Sequence, residues 1–313
     1  MYYPYLRARQ FELIAIRELA KEDALGKVVP VLEPVRESFN NLELAHKVLL
    51  EENDFSYLVV NPLSGDVAGD NNKILDYLEE KDLSQYKPAF HFNDNSSYIK
   101  DNIANNKLSD CLLIAMSNFN NIEGFKELCK TDEISSIMLL EPNRNRSLDG
   151  YIKKLNKNYI RLDDLFENLR RNSDYLDVPS HIFTEEHKYY DEDKYHGFAD
   201  FTALPSIFME GGSLPRAVVI HLTYLNTNEE DQIWINHFTS DTNDSVANVQ
   251  GKFGEAAQKA IAYYNREHIA KNSAIFELED YLSDGRYPGL GIVKKISIKN
   301  HLLVVNQFLS ENK

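Results

Sequence analysis

The feature that most constrains this chain is a repeat. Seven short apolar runs begin at Tyr2 (YYPYLR), Val28 (VVPVLEPV), Tyr57 (YLVVNPL), Pro88 (PAFHF), Cys111 (CLLIAMS), Ser136 (SIMLLEP) and Tyr159 (YIRLDD). Between them lie stretches such as FELIAIRELAKE, NNLELAHKVLLEEN, NKILDYLEEKDL and IEGFKELCKT, whose apolar residues recur at helical spacing. The runs lack a clean apolar–polar alternation, as expected of parallel strands covered on both faces. Their separation is that of a βα unit. Seven such units in succession favour a closed (β/α)8 TIM-like barrel over an open doubly wound sheet, because the connections never need to reverse direction. The eighth strand is expected in HGFADFTAL, around Phe198–Thr202. The intervening segment reads as a helix (LFENLRRN) followed by a polar, acidic stretch (HIFTEEHKYYDEDKY).

The repeat stops at Pro205. AVVIHLTY and IWINHFTS, joined by NTNEEDQ, read as a β-hairpin. Helical patterns follow in NVQGKFGEAAQKAIAYYNRE, SAIFELEDYLSDG and HLLVVNQFLSEN. The expected organisation is a barrel over residues 1–205 and a C-terminal extension of hairpin and helices over 206–313, packed on it without a Pro-, Ser- or Gly-rich linker.

In such barrels, functional side chains come from the C-terminal ends of the strands. Those ends carry Arg7, Glu33 with Arg36, Asn61, His91 with Asn93 and Asp94, Ser117 with Asn118, Glu141 with Arg144 and Arg146, Arg161 with Asp163, and Asp200. The chain has a net charge of −15, yet five of its 12 arginines fall at this rim. Arginine forks match carboxylate and phosphate oxygens, so the pattern points to an anion site. Arg–Glu pairs that merely satisfy one another are the structural alternative. Glu33 and Glu141 share a context, VLEPV and LLEPN. The following proline holds each on extended backbone. Placed on strands 2 and 6, they would face each other across the mouth as acid and base, as ligands of a divalent metal, or as counter-ions to Arg7 and Arg161.

A second constellation lies in the hairpin. If NTNEEDQ is the loop, Leu225 pairs with Ile233 and His221 stands opposite His237, with Cβ atoms about 5 Å apart. The pair would share the polar face with Thr223 and Thr239. The other face, with Val218, Ile220, Leu222, Tyr224, Trp234 and Phe238, would be the buried one. Two histidines so placed can bind a metal or move protons, or are simply half-exposed hairpin residues. MEGGSLP lacks the GK[ST] ending of a phosphate loop. SDTNDS lacks the spacing of a twelve-residue calcium loop. Lys252 and Glu255 form a helix-surface pair or point at the histidines.

Composition bounds the function classes. With 43% hydrophobic and 27% charged residues the chain reads as globular. No run approaches the ~20 apolar residues of a membrane helix. MYYPYLRARQ does not read as a signal peptide. Two cysteines, Cys111 and Cys129, offer neither a disulfide framework nor a Cys-based zinc site, and a cytoplasmic home is expected. The acidic surface opposes non-specific DNA binding.

The phrases YLRARQFELIAIREL, VVPVLEPV, GFADFTALPSIFMEGGSLPRAVVIHLTY and HFTSD resemble the Beta-protein family of phage and prophage origin, over about residues 2–265. Members are bacterial or mobile-element proteins, and some are similar to components of anti-phage defence loci. The resemblance implies a barrel-like fold and a defence role, and it brings no activity with it. Members often carry a lysine where this chain has Arg7. Two functions are therefore expected. In one, an enzyme hydrolyses or modifies a phosphodiester or nucleotide. Its catalytic groups are Glu33, Glu141, His91 and Asp200, its ligand-binding groups Arg7, Asn61, Arg144, Arg161, Asp163, His221 and His237, with a divalent metal as an open cofactor. In the other, the same rim holds an anionic small molecule or nucleotide without chemistry, and the extension contacts a partner effector protein.

Overall fold

The structure, a computed structural model, describes residues 1–69, 71–116, 119–211 and 216–312. In chain order the regular elements begin with β1 (Tyr5–Leu6), α1 (Gln10–Lys21), β2 (Val31–Leu32), α2 (Asn40–Glu52), β3 (Ser56–Val59) and α3 (Asn71–Glu79). They continue with β4 (Tyr86–His91), α4 (Ser96–Asn105), β5 (Cys111–Ala115), α5 (Ile122–Leu128), β6 (Ile134–Leu140), α6 (Arg146–Ile152) and β7 (Asn158–Leu162). Then come β8 (Ser180–Thr184), α7 (Glu186–Tyr189), β9 (Gly197–Ala199), β10 (Val219–Asn226), β11 (Gln232–Thr239), α8 (Val249–Arg266), α9 (Ser273–Ser283) and α10 (Leu290–Asn312). No helix among the described residues is long and apolar enough to cross a membrane.

The chain divides into two compact units, Met1–Asp164 with Glu186–Phe201, and Leu165–Glu185 with Thr202–Lys313. The expected boundary after residue 205 misses that Leu165–Glu185 groups with the C-terminal residues.

The first unit is an α/β barrel of the (β/α)8 TIM-like class. Its eight strands run β1-β2-β3-β4-β5-β6-β7-β9, each neighbouring pair parallel. Tyr3 N donates to Phe198 O (2.8 Å) and Tyr5 N to Asp200 O (2.9 Å), joining the last strand to the first. The first strands are short because Pro4 and Pro30 have no N–H. Their carbonyls still serve the ladder, accepting from Val31 N and Tyr57 N. Helix α1 begins where Glu12 reaches back to the Arg9 N–H (3.1 Å), and it buries Leu13, Ile16 and Leu19. The interior is filled by alternate residues of the strands: Tyr3 and Tyr5, Val29 and Val31, Tyr57 and Val59, Ala89, Leu112 and Ile114, Met138, Ile160 and Leu162, Ala199 and Phe201. Gly197 is required here, since a Cβ would stand 2.5 Å from the Tyr3 ring.

The second unit holds a three-stranded antiparallel sheet, β10-β11-β8, with α8, α9 and α10. The hairpin has the expected register, Leu225 opposite Ile233 and His221 opposite His237. Two expectations need correction. LFENLRRN forms no α-helix. Its backbone is engaged by a tyrosine instead, with Leu169 N donating to Tyr175 Oη and Tyr175 Oη donating to Glu167 O. The acidic stretch after it contains a strand, β8, which completes the hairpin sheet.

Candidate functional site

Strand alternation decides which rim residues meet. Successive side chains on a strand point to opposite faces. Arg7, Glu33, Asn61 and His91 each stand two residues beyond an interior residue: Tyr5, Val31, Val59 and Ala89. All four therefore continue the inward-facing set one layer up, at the mouth. On β5, β6 and β9 the corresponding inward positions are the apolar Met116, Leu140 and Phe201, the last beside Tyr5 and Arg7, while Asp164 follows the interior Leu162 of β7 and is exposed. The mouth is thus polar along β1–β4 and mostly apolar beyond.

Glu33 is the centre of the polar half. It is fully buried. Its Oε2 accepts from the Tyr5 hydroxyl (2.7 Å) and from the Arg7 guanidinium, and its Oε1 accepts from Leu63 N (2.7 Å). The Leu63 contact ties the loop after β3 to β2. Gly65, at φ +82°, keeps the same loop close, because a Cβ would lie 2.2 Å from Val35 O. The Tyr5 oxygen also lies 2.8 Å from His91 Nε2. Tyr5 has one proton to give. With Glu33 ionised against Arg7, that proton goes to Glu33, and His91 must donate its Nε2–H to the tyrosine oxygen. Nδ1 is then a lone pair, buried and without a hydrogen-bond partner among the described residues.

Burial, and after it the charge of Arg7, pushes the His91 imidazole down to about 3, so it is neutral across the physiological range. Burial raises the Tyr5 hydroxyl, with Arg7 acting in the opposite sense. Asn61 clamps the His91 backbone from both sides, donating to its O and accepting from its N at 2.8 Å each. Arg7 lies over the Tyr5 and Phe201 rings, its guanidinium carbon 5.2 and 5.9 Å from their centroids, with its side chain 17% exposed.

The remaining rim residues lie elsewhere. Arg161 and Asp163 alternate with the interior residues Ile160 and Leu162 and so face away from the barrel interior. They pair with each other, Arg161 Nε to Asp163 Oδ2 at 2.6 Å, and Arg161 reaches Glu186 at 3.2 Å. Asp200 is out of phase with Ala199 and Phe201 and accepts from the Tyr2 hydroxyl at 2.6 Å. Burial raises the Asp163 carboxyl, Arg161 opposes the rise, and Asp200 adds to it. Glu141 does not reproduce Glu33, despite the shared Glu-Pro context. Its backbone is left-handed (φ 46°), which breaks the alternation, and its carboxylate meets Arg144 at 2.8 Å in a pair that is 27% and 79% exposed. Ser117 and Asn118 lie outside the described residues.

His221 and His237 belong to the second unit. Their Nδ1 atoms are 2.6 Å apart, so one donates to the other. The face expected to be polar is buried: Thr223, His237 and Thr239 are nearly inaccessible. The rings of Phe166 and Tyr175 pack against both imidazoles. Burial, then His181, pushes His237 down to about 3. Lys252 and Glu255 do not reach the pair: Lys252 donates to Ser245 O (2.5 Å) and Glu255 accepts from Thr242. No group of three or more His, Cys, Asp or Glu side chains able to hold a metal occurs among the described residues.

The rim rule thus found Arg7, Glu33, Asn61 and His91, and missed Tyr5 and the Leu63 N–H that bind them together. Tyr5 had a readable signal, since it lies two residues before Arg7 on the same face. Compared with known proteins, the chain matches no family model, no curated protein and no solved structure.

Proposed function

We propose that the barrel mouth binds a small anionic ligand, a nucleotide or phosphate ester, without turning it over, and that the chain is a ligand-sensing component of a bacterial or mobile-element defence system working in the cytoplasm. The observation that carries the binding half is the state of Glu33. Its oxygens already accept from Tyr5, Arg7 and Leu63 N, which leaves it a positioning group and not a proton shuttle. His91 is neutral and engaged by Tyr5. Asp163 and Glu141 are each paired with an arginine. Hydrolysis would need an acid–base pair near neutrality, and these groups do not assemble one. Arg7, held rigid by Glu33 and two rings, supplies an oriented fork for an oxyanion. The apolar arc of Met116, Leu140 and Phe201 suits the ring or body of such a ligand. The defence assignment, and an effector protein as partner, rest on the sequence phrases that resemble the Beta-protein family.

The test is to incubate the purified protein with inorganic phosphate and a panel of mono-, di- and cyclic nucleotides, measuring binding by calorimetry and turnover by chromatography. The reading expects saturable binding of at least one nucleotide, recovered intact. Product formation that disappears in Glu33→Gln, with the fold retained by circular dichroism, would establish an enzyme instead.

A further inference from the structure

The second unit contains a cavity of about 540 Å³, within the range of small-molecule sites. It is formed by the turn after β10, the C-terminal end of α8 with the residues that follow, and the C-terminal end of α10. Three carboxylates line it, one from each element: Glu229 on the turn, Glu267 at the end of α8 and Glu311 in the last turn of α10. No lysine or arginine is among the lining residues. Two helices present their carbonyl ends here, which adds negative potential; Arg266 offsets it in the last turn of α8, and no basic residue does so in the last turn of α10. The lining also holds the aromatic residues Tyr263 and Phe308 and the aliphatic Leu225, Ile269 and Val304.

The rim already shows what this wall accepts. The Arg266 guanidinium carbon lies 5.1 Å from the Tyr263 ring centroid, and its Nε donates to Glu267 at 2.7 Å. A cation held between a ring face and a carboxylate is the pairing that organic ammonium and guanidinium groups favour. A metal ion is a poor match, because no three carboxylates form a group able to hold one among the described residues. Dispersed carboxylates with aromatic and aliphatic surface in the same lining fit ammonium groups separated by methylene segments. We infer that this cavity binds a linear aliphatic polyamine, its ammonium groups at Glu229, Glu267 and Glu311 and its methylenes on Tyr263, Phe308 and the aliphatic lining.

Calorimetric titration of the whole protein with spermidine at fixed ionic strength tests this. The inference expects saturable one-site binding that the combined variant Glu229→Gln, Glu267→Gln, Glu311→Gln weakens about tenfold, the sum of three exposed ion pairs. Tyr263→Leu, which keeps an apolar side chain and removes the ring face, is expected to weaken it about threefold. A control with Glu51, Glu52 and Glu80 changed to Gln, none of which lines the cavity, carries the same change in net charge and is expected to stay within about twofold, since exposed charges that make no contact with a ligand contribute little. Absence of saturable binding, an unchanged affinity in the cavity variant, or an equal loss in the control would overturn the inference.

Discussion

Two arginine–carboxylate groups sit at the C-terminal edge of one barrel, Arg7 with Glu33 on β1 and β2, and Arg161 with Asp163 on β7. Each has a buried tyrosine bonded to a nearby carboxylate, Tyr5 to Glu33 and Tyr2 to Asp200. Their chemistry is alike, but their strand phase is opposite. Arg7, Glu33 and Tyr5 share the phase of the barrel interior. Arg161, Asp163, Asp200 and Tyr2 are displaced from it by one residue and face outward. A one-residue step moves a side chain from one face of a sheet to the other. It therefore separates a group that can meet a ligand in the mouth from one that secures the outer layer.

The sharpest way to break this comparison is to remove the centre of the inner group. Glu33→Ala strips a fully buried acceptor from Tyr5, Leu63 N and Arg7, and is expected to lower stability by about 3–5 kcal/mol in chemical denaturation. A loss below about 1 kcal/mol would mean that Glu33 does not hold the mouth together. The two tyrosines give a matched pair. Tyr5→Phe removes a hydroxyl that serves both Glu33 and His91, and is expected to cost about 2–3 kcal/mol. Tyr2→Phe removes one donor to Asp200 and is expected to cost about 1.5 kcal/mol. Equal losses would erase the distinction.

The pH response separates the groups by sign. Between the ordinary histidine value of 6.5 and about 3, the unfolded chain takes up a proton at His91 that the folded chain refuses. That contribution is complete above pH 6.5 and is lost as pH falls through the window, with a slope of up to about 1.4 kcal/mol per pH unit. Asp163 is shifted upward, so its contribution is present at low pH and lost as pH rises through its raised folded value. His91→Asn should flatten the acid limb of the stability curve, and a limb as steep as that of the unsubstituted protein would contradict the buried neutral imidazole. The smallest effect is expected at the exposed pair. Glu141→Gly relieves a left-handed backbone and removes only a surface contact, for a change of about 0.5–1 kcal/mol toward greater stability. A clear loss would show that Glu141 does more than meet Arg144.

The barrel was legible because seven buried parallel strands leave seven apolar runs, and because Gly197–Ala199 closes the sheet within the segment expected for the eighth. Strand β8 was hidden because its partner, β11, lies some 50 residues further on. The LFENLRRN segment carries a helical pattern that Tyr175 overrides by bonding its backbone. At the site, rim position alone put fifteen of the barrel's charged and polar residues on an equal footing, nine of them with expected roles. Strand phase, readable by counting in twos from Tyr5, Val31, Val59 and Ala89, divides them. Glu141 shows where such counting stops: nothing in LLEPN distinguishes its backbone from that of VLEPV, yet one is left-handed and the other extends the strand. The hairpin histidines show the complementary case. Turn length fixed their register, while their burial depends on Phe166 and Tyr175, brought to them by a segment more than 40 residues earlier.

The most direct measurement is a parallel anion titration of Arg7→Gln and Arg161→Gln, using the tightest-binding nucleotide of the panel, with the fold of each variant monitored by circular dichroism. The inward phase of Arg7 predicts that Arg7→Gln weakens binding about tenfold or more, the scale of a lost charge-assisted pair, while Arg161→Gln leaves affinity within about twofold despite a lower melting temperature. An undiminished affinity in Arg7→Gln, or an equal loss in Arg161→Gln, would contradict the mouth as the ligand site.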